Sequence, residues 1–340
     1  MPAPTINKYG QIDQKVGFQA EKTYLKHAMN KEVLGKFGVP AFLSKKSGNQ
    51  IKWQRKKSLP AIRVGLVEGQ APSGTVFQYE EVVANIKQFG AWMPITDQVV
   101  DLHENNVTKD MIESQGEQAG ITAEMVMWDV ITNGTSVTYA GGKTQRVDVV
   151  DTLDASMIRH AQKMLRRMKG TKFTQVAKST PSYGTKSVEA AYIAVCHTDC
   201  EDLLRALPGF KLVADYGTGK TVCDDEFGQF EQTRIVTSPE FDAILDAGGV
   251  TGSTGMESNG GANVNIYQMI VLAKEAFGHI AVRGEKAPLG GPIKPIVRQP
   301  GNATPGDELG QTGSIAWKMY FNAKILNDTW LERLEFAVPA

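Results

Sequence analysis

The chain has 340 residues, more than one small core requires, so roughly two domains or one elaborate domain are expected. Lys plus Arg and Asp plus Glu both number 37, and this formal neutrality argues against a protein whose main task is gripping nucleic acid through a basic surface. An apolar fraction of 41% with 22% charged residues speaks against global disorder, and the three cysteines, an odd number, speak against a disulfide framework. No run of about 18 apolar residues is present, so no transmembrane helix is expected. The first residues, Met1-Pro2-Ala3-Pro4-Thr5, lack a basic n-region and an apolar h-region. No secretory signal is therefore expected, and folding is expected in cytoplasm.

Residues 1 to about 48 are weakly patterned around Pro2, Pro4, Gly10 and Gly17, with a short helical stretch over 20–29. Such a composition reads as an arm lying over something else, because it cannot build its own core. From Gln50 the period changes to two: Ile51, Trp53 and Arg55 alternate with polar or basic neighbours, and 77–88 is a second extended run. Between them 58–74 is rich in Gly and Pro, so the pair reads as a protruding hairpin. Thr96 or Asp97 is a suitable N-cap for a short helix carrying Val99, Val100 and Leu102. A longer helix comes next over 108–131, with Ile112, Ala119, Ala123, Val126 and Val130 on one stripe and Asn133-Gly134 closing it. Gly116 and Gly120 inside it each cost about 1 kcal/mol relative to Ala, which points to close approach of another backbone. A third helix over 154–168 buries Met157, Ile158, Ala161, Met164 and Leu165.

In the second half, 191–195 reads as a buried strand, 199–207 as a short helix, and 234–236 and 265–273 as extended or mixed. The glycine-rich 248–261 between the last two reads as a mobile loop. The clearest pattern is near the end: Ile315, Trp317, Met319, Phe321, Ala323 and Ile325 face one way and Ala316, Lys318, Tyr320, Asn322 and Lys324 the other, a long half-buried strand. After Asn327-Asp328 a last strand carries Trp330, Leu334 and Phe336.

Candidate chemistry is sparse. Ala214-Asp-Tyr-Gly-Thr-Gly219-Lys220-Thr221 satisfies a relaxed phosphate-loop pattern. That mechanism requires a helix starting at the Lys, and Val222-Cys-Asp-Asp-Glu-Phe-Gly228 has no helical period and puts three acids beside the anion site. Cys196-His197-x-x-Cys200 could supply zinc ligands, but no second ligand pair is present, and Cys196 at the end of an apolar strand suits a buried thiol. Asp224, Asp225 and Glu226 lack the alternating oxygen ligands of a calcium loop. The five histidines are scattered and no serine-elbow motif is present, so no catalytic residues, cofactor or metal are expected.

Charge is more informative. Residues 45–63 carry Lys45, Lys46, Lys52, Arg55, Lys56, Lys57 and Arg63 and no acid, whereas 104–129 carries Glu104, Asp110, Glu113, Glu117, Glu124 and Asp129 against Lys109. One reading is a nucleic-acid-binding hairpin, although no recognition fold accompanies it. Another is two solvated faces. A third is complementarity, in which the hairpin lies across the acidic helix of a neighbouring copy. An isolated two-stranded hairpin is marginal, which favours a self-assembling protein.

Two blocks carry a resemblance. Gly65-Leu-Val-Glu68-Gly69-Gln-Ala-Pro72-Ser-Gly74 with Lys87-Gln-Phe-Gly90-Ala-Trp92 and Ile95-Thr96-Asp97 resembles the major capsid proteins of tailed double-stranded-DNA bacteriophages, in a branch described from short-tailed phages. Leu309-Gly-Gln-Thr-Gly313-Ser-Ile-Ala-Trp317-Lys, with Ala323-Lys-Ile-Leu-Asn327-Asp-Thr-Trp330-Leu-Glu-Arg333-Leu-Glu, is similar to the closing strands of that branch. The resemblance implies an α+β fold of the Hong Kong-phage type, with an N-terminal arm (1–48) and an extended β-hairpin loop (49–96). It further implies a peripheral domain with a long spine helix (97–190), an axial domain (191–300) and strands returning to the peripheral domain (301–340). It implies a structural, non-enzymatic protein that self-assembles into hexamers and pentamers of an icosahedral virion shell enclosing double-stranded DNA, assembled in the host cytoplasm. Its partners would be itself, a separate scaffolding protein, a portal and decoration proteins, with no membrane. The interface pairing expected here joins Lys52, Arg55, Lys56 or Lys57 to Glu113, Glu117 or Glu124 of an adjacent subunit. The rival readings are a nucleotide-binding protein using 214–221 and a nucleic-acid module using 45–63.

Overall fold

The computed structural model describes residues 33–44, 48–63, 65, 68–69, 74–102, 107–177, 185–216, 221–223, 225–252, 255–282, 294–303 and 306–340. The expected helical stretch at 20–29, most of the arm, Val64, Leu66, Val67 and 70–73 of the hairpin tip, Lys45, Lys46, Glu104, Lys220 and Asp224 lie outside the described residues. In chain order the described strands and α-helices are β1 (Val39–Leu43), β2 (Gln50–Lys56), β3 (Tyr79–Asn85), β4 (Lys87–Thr96), α1 (Asp97–Leu102) and α2 (Val107–Thr132). Next come β5 (Val137–Tyr139), α3 (Ala155–Arg167), β6 (Phe173–Ala177), β7 (Thr185–His197), α4 (Glu201–Ala206) and β8 (Phe210–Leu212). The chain continues through β9 (Glu226–Phe230), β10 (Thr233–Ser238), β11 (Tyr267–Leu272), β12 (Phe277–Val282), β13 (Lys294–Arg298), β14 (Thr312–Ile325) and β15 (Leu331–Phe336).

β2 and β3 form the expected hairpin, antiparallel from Gln50↔Asn85 to Lys56↔Tyr79. β14 organises a five-stranded sheet. Along one edge it pairs with β4 from Thr312↔Thr96 to Phe321↔Lys87, and on the other it pairs with β13 and then β12. Parallel β1 closes that sheet beside β12. Ile315, Trp317, Met319, Phe321 and Ala323 are buried at every second position of β14, the period-two pattern of a sheet with one covered face. Helix α2 runs against this strand: Gln115 Nε2 donates to Ile315 O at 2.7 Å and Trp317 Nε1 donates to Gln118 Oε1 at 3.0 Å. Gly116 and Gly120, between and beside these contacts, are buried.

The second sheet has eight strands in the order β5-β15-β11-β7-β10-β9-β8, with β6 added to β7. It separates two apolar cores. Ile193 and Val195 of β7 and Ile270 and Leu272 of β11 face the core that contains α2, where Trp128 stacks on Phe241 at 4.4 Å. Tyr192, Ala194, Met269 and Val271 face the core that contains α3. The third helix therefore covers the opposite side of the sheet from the long one. Asp154, read as the first residue of the helix, is its N-cap and accepts from Ser156 N at 3.2 Å; Met157, Ile158, Ala161 and Leu165 are buried as expected, while Met164 is half-buried.

Two expectations are corrected. Residues 248–261, read as a mobile loop, are tied down wherever they are described. Gly248 N donates to Val264 O and Gly249 N to Val149 O, both at 2.9 Å, and Glu257 N donates to Val338 O at 2.9 Å. The Asp246 carboxylate accepts the Asn259 and Gly260 amides at 3.1 Å. A Cβ at Gly248 would lie 2.7 Å from Val149 O, so glycine there serves close approach rather than freedom. The last strand, expected to carry Trp330, starts one residue later: Trp330 ends the 3₁₀ turn Asp328–Trp330, and β15, inside the sheet between β5 and β11, is buried on both faces.

Candidate subunit interface

The hairpin is built from residues that alternate across β2, with Ile51, Trp53 and Arg55 half-buried and Lys52, Gln54 and Lys56 exposed. Its basic run is not left alone. The Lys52 ammonium pairs with Glu81 on β3, and Gln54 Nε2 donates to the same carboxylate at 2.8 Å. The hydrogen bond from Lys52 holds the Glu81 carboxyl below its usual range. Arg55 grips Glu80 through Nε and Nη2 at 2.9 and 2.7 Å, and its guanidinium stands 5.9 Å from the Trp330 ring centre. Exposed pairs of this kind are screened by solvent, so they shape the ribbon more than they stabilise the fold. Lys56 and Lys57 are exposed towards the distal end. The acids that accompany the run lie in 77–88, and antiparallel pairing places them opposite it; reading the two runs as strand partners was the signal available in the sequence.

The hairpin root is seated on its own subunit. A Cβ at Gly278 of β12 would meet Trp53 Cζ2 and Val39 O, both at 3.0 Å, so the indole rests where only glycine leaves room. Beyond the root, Leu59, Ile62, Val76, Phe77, Tyr79 and Val83 are exposed, with the Phe77 and Tyr79 rings edge to face at 4.9 Å. A row of this kind on a two-stranded ribbon exposes the apolar surface that partner interfaces use.

On α2, Glu113 and Glu117 are half-buried and Glu113 lies 3.5 Å from Lys109 one turn before it. Glu124 is placed differently. Its side chain is wholly buried within the subunit, and its two oxygens accept the backbone N–H groups of Val33 and Leu34 at 3.0–3.1 Å. The carboxylate thus satisfies the amides that open the 3₁₀ turn Leu34–Lys36, and it anchors the chain there to the long helix. Lys36 adds an ion pair with Asp225 at 3.3 Å. Nothing in the sequence separates Glu124 from Glu117, which sits two turns earlier on the same stripe.

The alternative chemical sites resolve into structural roles. Val213–Tyr216 is a 3₁₀ turn, and the element after Thr221–Cys223 is β9, a strand rather than the helix that phosphate binding needs. Glu226, the third acid, is buried and receives Arg234 at 3.1 Å and Tyr216 OH at 2.8 Å. Burial and the Glu226 contact push the Tyr216 hydroxyl well above its usual range. Cys196 and Cys200 are buried; the contact with Cys196 and burial together raise the Cys200 thiol well above its ordinary value. Burial pushes the Cys223 thiol up to about 12. Among the described residues no group of His, Cys, Asp or Glu is arranged to hold a metal ion. Between the two ends of the sheet, Glu335 is buried in a clamp of Arg146 (2.7 Å) and Arg333 (2.8 Å) with Gln268 at 3.2 Å. Burial alone would raise its carboxyl, but the Arg146 hydrogen bond and the two guanidinium charges outweigh it and hold the group below the usual range.

Residues 79–333 match the family model for phage capsid protein. The chain belongs to the phage capsid protein family. Solved structures agree in fold: the capsid of Ralstonia phage GP4 is similar with a TM-score of 0.65 at 10% identity, covering 99% of each chain. The head structure of Helicobacter pylori bacteriophage KHP40 is similar with a TM-score of 0.59 at 11% identity, covering 99% of this chain and 95% of that one. The Cyanophage Pam1 capsid is similar with a TM-score of 0.59 at 10% identity, covering 99% of each chain. No curated protein sequence matches. The mixed α+β architecture is that of the Hong Kong-phage type, and this capsid protein is a major capsid protein with a structural, virion-shell role.

Proposed function

We propose that this capsid protein assembles, as many identical copies, into hexamers and pentamers of an icosahedral shell that encloses double-stranded DNA. The observation that carries the reading is the family match over 79–333 on a chain whose hairpin exposes an apolar row among the described residues. Residues 1–48 serve as the arm, 49–96 as the extended loop, 97–190 and 301–340 as the peripheral domain and 191–300 as the axial domain. Arm and loop overlap neighbouring subunits, so that dissociation requires many contacts to break together. A separate scaffolding protein, a portal and decoration proteins complete the particle, which is assembled in the host cytoplasm.

The charge pairing between subunits is narrower than the sequence alone suggests. Lys56 and Lys57, exposed on the distal hairpin, are the cations best placed to reach Glu113 or Glu117 of a neighbour, while Lys52 and Arg55 engage Glu81 and Glu80 at home. The buried Glu124 is left out of this pairing. Sedimentation of the purified protein, followed by negative-stain microscopy of the fastest fraction, tests the shell; closed shells or rings are expected. A chain that stays single with scaffolding protein and crowding agent, and binds ATP with measurable heat, would overturn it. Lys56→Glu with Lys57→Glu is expected to lower assembly yield and change its salt sensitivity; normal yield and sensitivity would remove the pairing.

A further inference from the structure

A second basic surface lies on α3, far along the chain from the hairpin. Between Asp154 and Glu189 the sequence has eight Lys and Arg residues and no Asp or Glu, so the rest of this neutral chain is eight charges negative. The helix buries Met157, Ile158, Ala161, Gln162 and Leu165, which leaves Arg159, His160, Lys163, Arg166 and Arg167 exposed on its outer side. Lys169 is exposed just beyond it in the left-handed conformation, φ 59°, where Gly170 N closes the helix on Leu165 O at 2.8 Å. Arg159 pairs with Glu231 at 2.8 Å and Arg166 donates to the Gln232 side chain, whereas among the described residues no carboxylate pairs with Lys163, Arg167 or Lys169. At 1.5 Å per residue, Arg159 to Arg167 spans about 12 Å, the axial length of roughly three to four phosphates of one DNA strand.

The placement of this strip matters as much as its charge. The eight-stranded sheet separates the core of α3 from the core of α2, so the acids of α2 and the bases of α3 lie on opposite layers of the subunit. The strip carries Lys and Arg with no exposed aromatic residue, and Met168 is the large apolar side chain exposed beside it. Interfaces between protein copies are depleted in Lys and enriched in aromatic residues, Met and Arg, whereas nucleic-acid interfaces are polar and strongly positive; the exposed Lys163 and Lys169 and the dense positive charge favour the second.

We propose that the outer face of α3, with Lys163, Arg167 and Lys169 at its centre, is the lumenal surface of the shell and contacts the phosphate backbone of packaged duplex DNA without regard to sequence. The assignment rests on the shell reading above. It reconciles formal neutrality with a genome-facing surface, because the compensating negative charge lies elsewhere on the subunit.

The test uses full-length free subunits and a short fluorescent duplex of random sequence, with anisotropy followed from about 50 to 200 mM NaCl. In the variant Lys163→Gln, Arg167→Gln, Lys169→Asn the changes are exposed, and Asn tolerates the left-handed backbone at 169. The salt slope of its affinity is expected to be shallower by about 0.9 for each phosphate left without its cation, so affinity falls about 40-fold less than wild type over that range if all three touch phosphate. Lys56→Gln with Lys57→Gln is the control and is expected to keep the wild-type slope. A wild-type slope in the triple variant overturns the proposal. So does a triple variant that keeps DNA binding but no longer captures an acidic scaffolding protein, which would assign the face to a protein partner. Shell formation by the wild type, scored separately by sedimentation, tells failure of this face from failure of the capsid reading. In DNA-filled shells Lys163 is expected to resist an amine reagent linked to a polymer too large to enter; labelling from outside would place α3 on the wrong surface.

Discussion

Replacing Glu124 with Gln should loosen the root of the N-terminal arm while leaving the rest of the subunit folded. The carboxylate is wholly buried and accepts two backbone amides, Val33 N at 3.1 Å and Leu34 N at 3.0 Å. Hydrogen bonds to a charged group are worth about 1.5–3 kcal/mol, and a buried donor left unsatisfied costs about 1–3 kcal/mol. Glutamine keeps the shape and one acceptor oxygen, but its amide nitrogen would face an N–H donor. The expected cost is about 2–3 kcal/mol, felt at the arm root, which corresponds to roughly 30- to 150-fold more frequent opening. Hydrogen exchange of the peptide covering 33–38, followed by mass spectrometry, reads this directly. Exchange there should accelerate by that factor while β14 stays protected, and Asp129→Asn, exposed on the same helix, should change stability by less than about 0.5 kcal/mol. Unchanged exchange at 33–38 would refute the anchoring role of Glu124. A uniform acceleration would instead assign Glu124 to global stability.

Three further outcomes are expected. The Glu335 carboxyl is held low in the folded state, so its contribution is present at neutral pH and lost as pH falls through the folded value; Arg146→Leu should cost about 3 kcal/mol at pH 7 and move acid unfolding to higher pH, and an unchanged acid limb in fluorescence melts would contradict this. Gly278→Val should displace Trp53 from its seat at about 1–3 kcal/mol, exposing the hairpin root to proteolysis; an unaltered cleavage pattern would show that the root is held by something other than this seat. Cys196, Cys200 and Cys223 should be silent to a thiol reagent at pH 8 in the native protein and all react after unfolding, since the contact with Cys196 and burial keep Cys200 protonated and burial keeps Cys223 so; a fast native reaction would show the thiols to be accessible.

The readable parts of this chain are those whose signal is local. The alternation at Ile315, Trp317, Met319 and Phe321 needs only a covered face to become β14, and Asp154 needs only its own helix to act as a cap. Runs of charge are read less well. The basic run of β2 looks unopposed in sequence until β3 sets Glu80 and Glu81 against it, and the stretch around α3, without a single acid over 34 residues, is hidden by the neutrality of the whole chain. The family resemblance lies in packing and turn patterns of the hairpin and last strands, and the match over 79–333 covers both the end of the first and the second.

By itself, then, the sequence determined the periods of the strands and helices and the hairpin. What the tertiary structure alone decided is the fate of each charge. Glu124 and Glu117 are one residue type on one helix stripe, yet one is sealed against amides 90 and 91 residues away in sequence while the other is half-buried. Glu335 is stabilised by an arginine 189 residues distant, and α2 and α3 become opposite faces of one sheet. The free energy of an ionised group depends on what covers it and what stands within a few ångströms, and for these groups both come from distant parts of the chain.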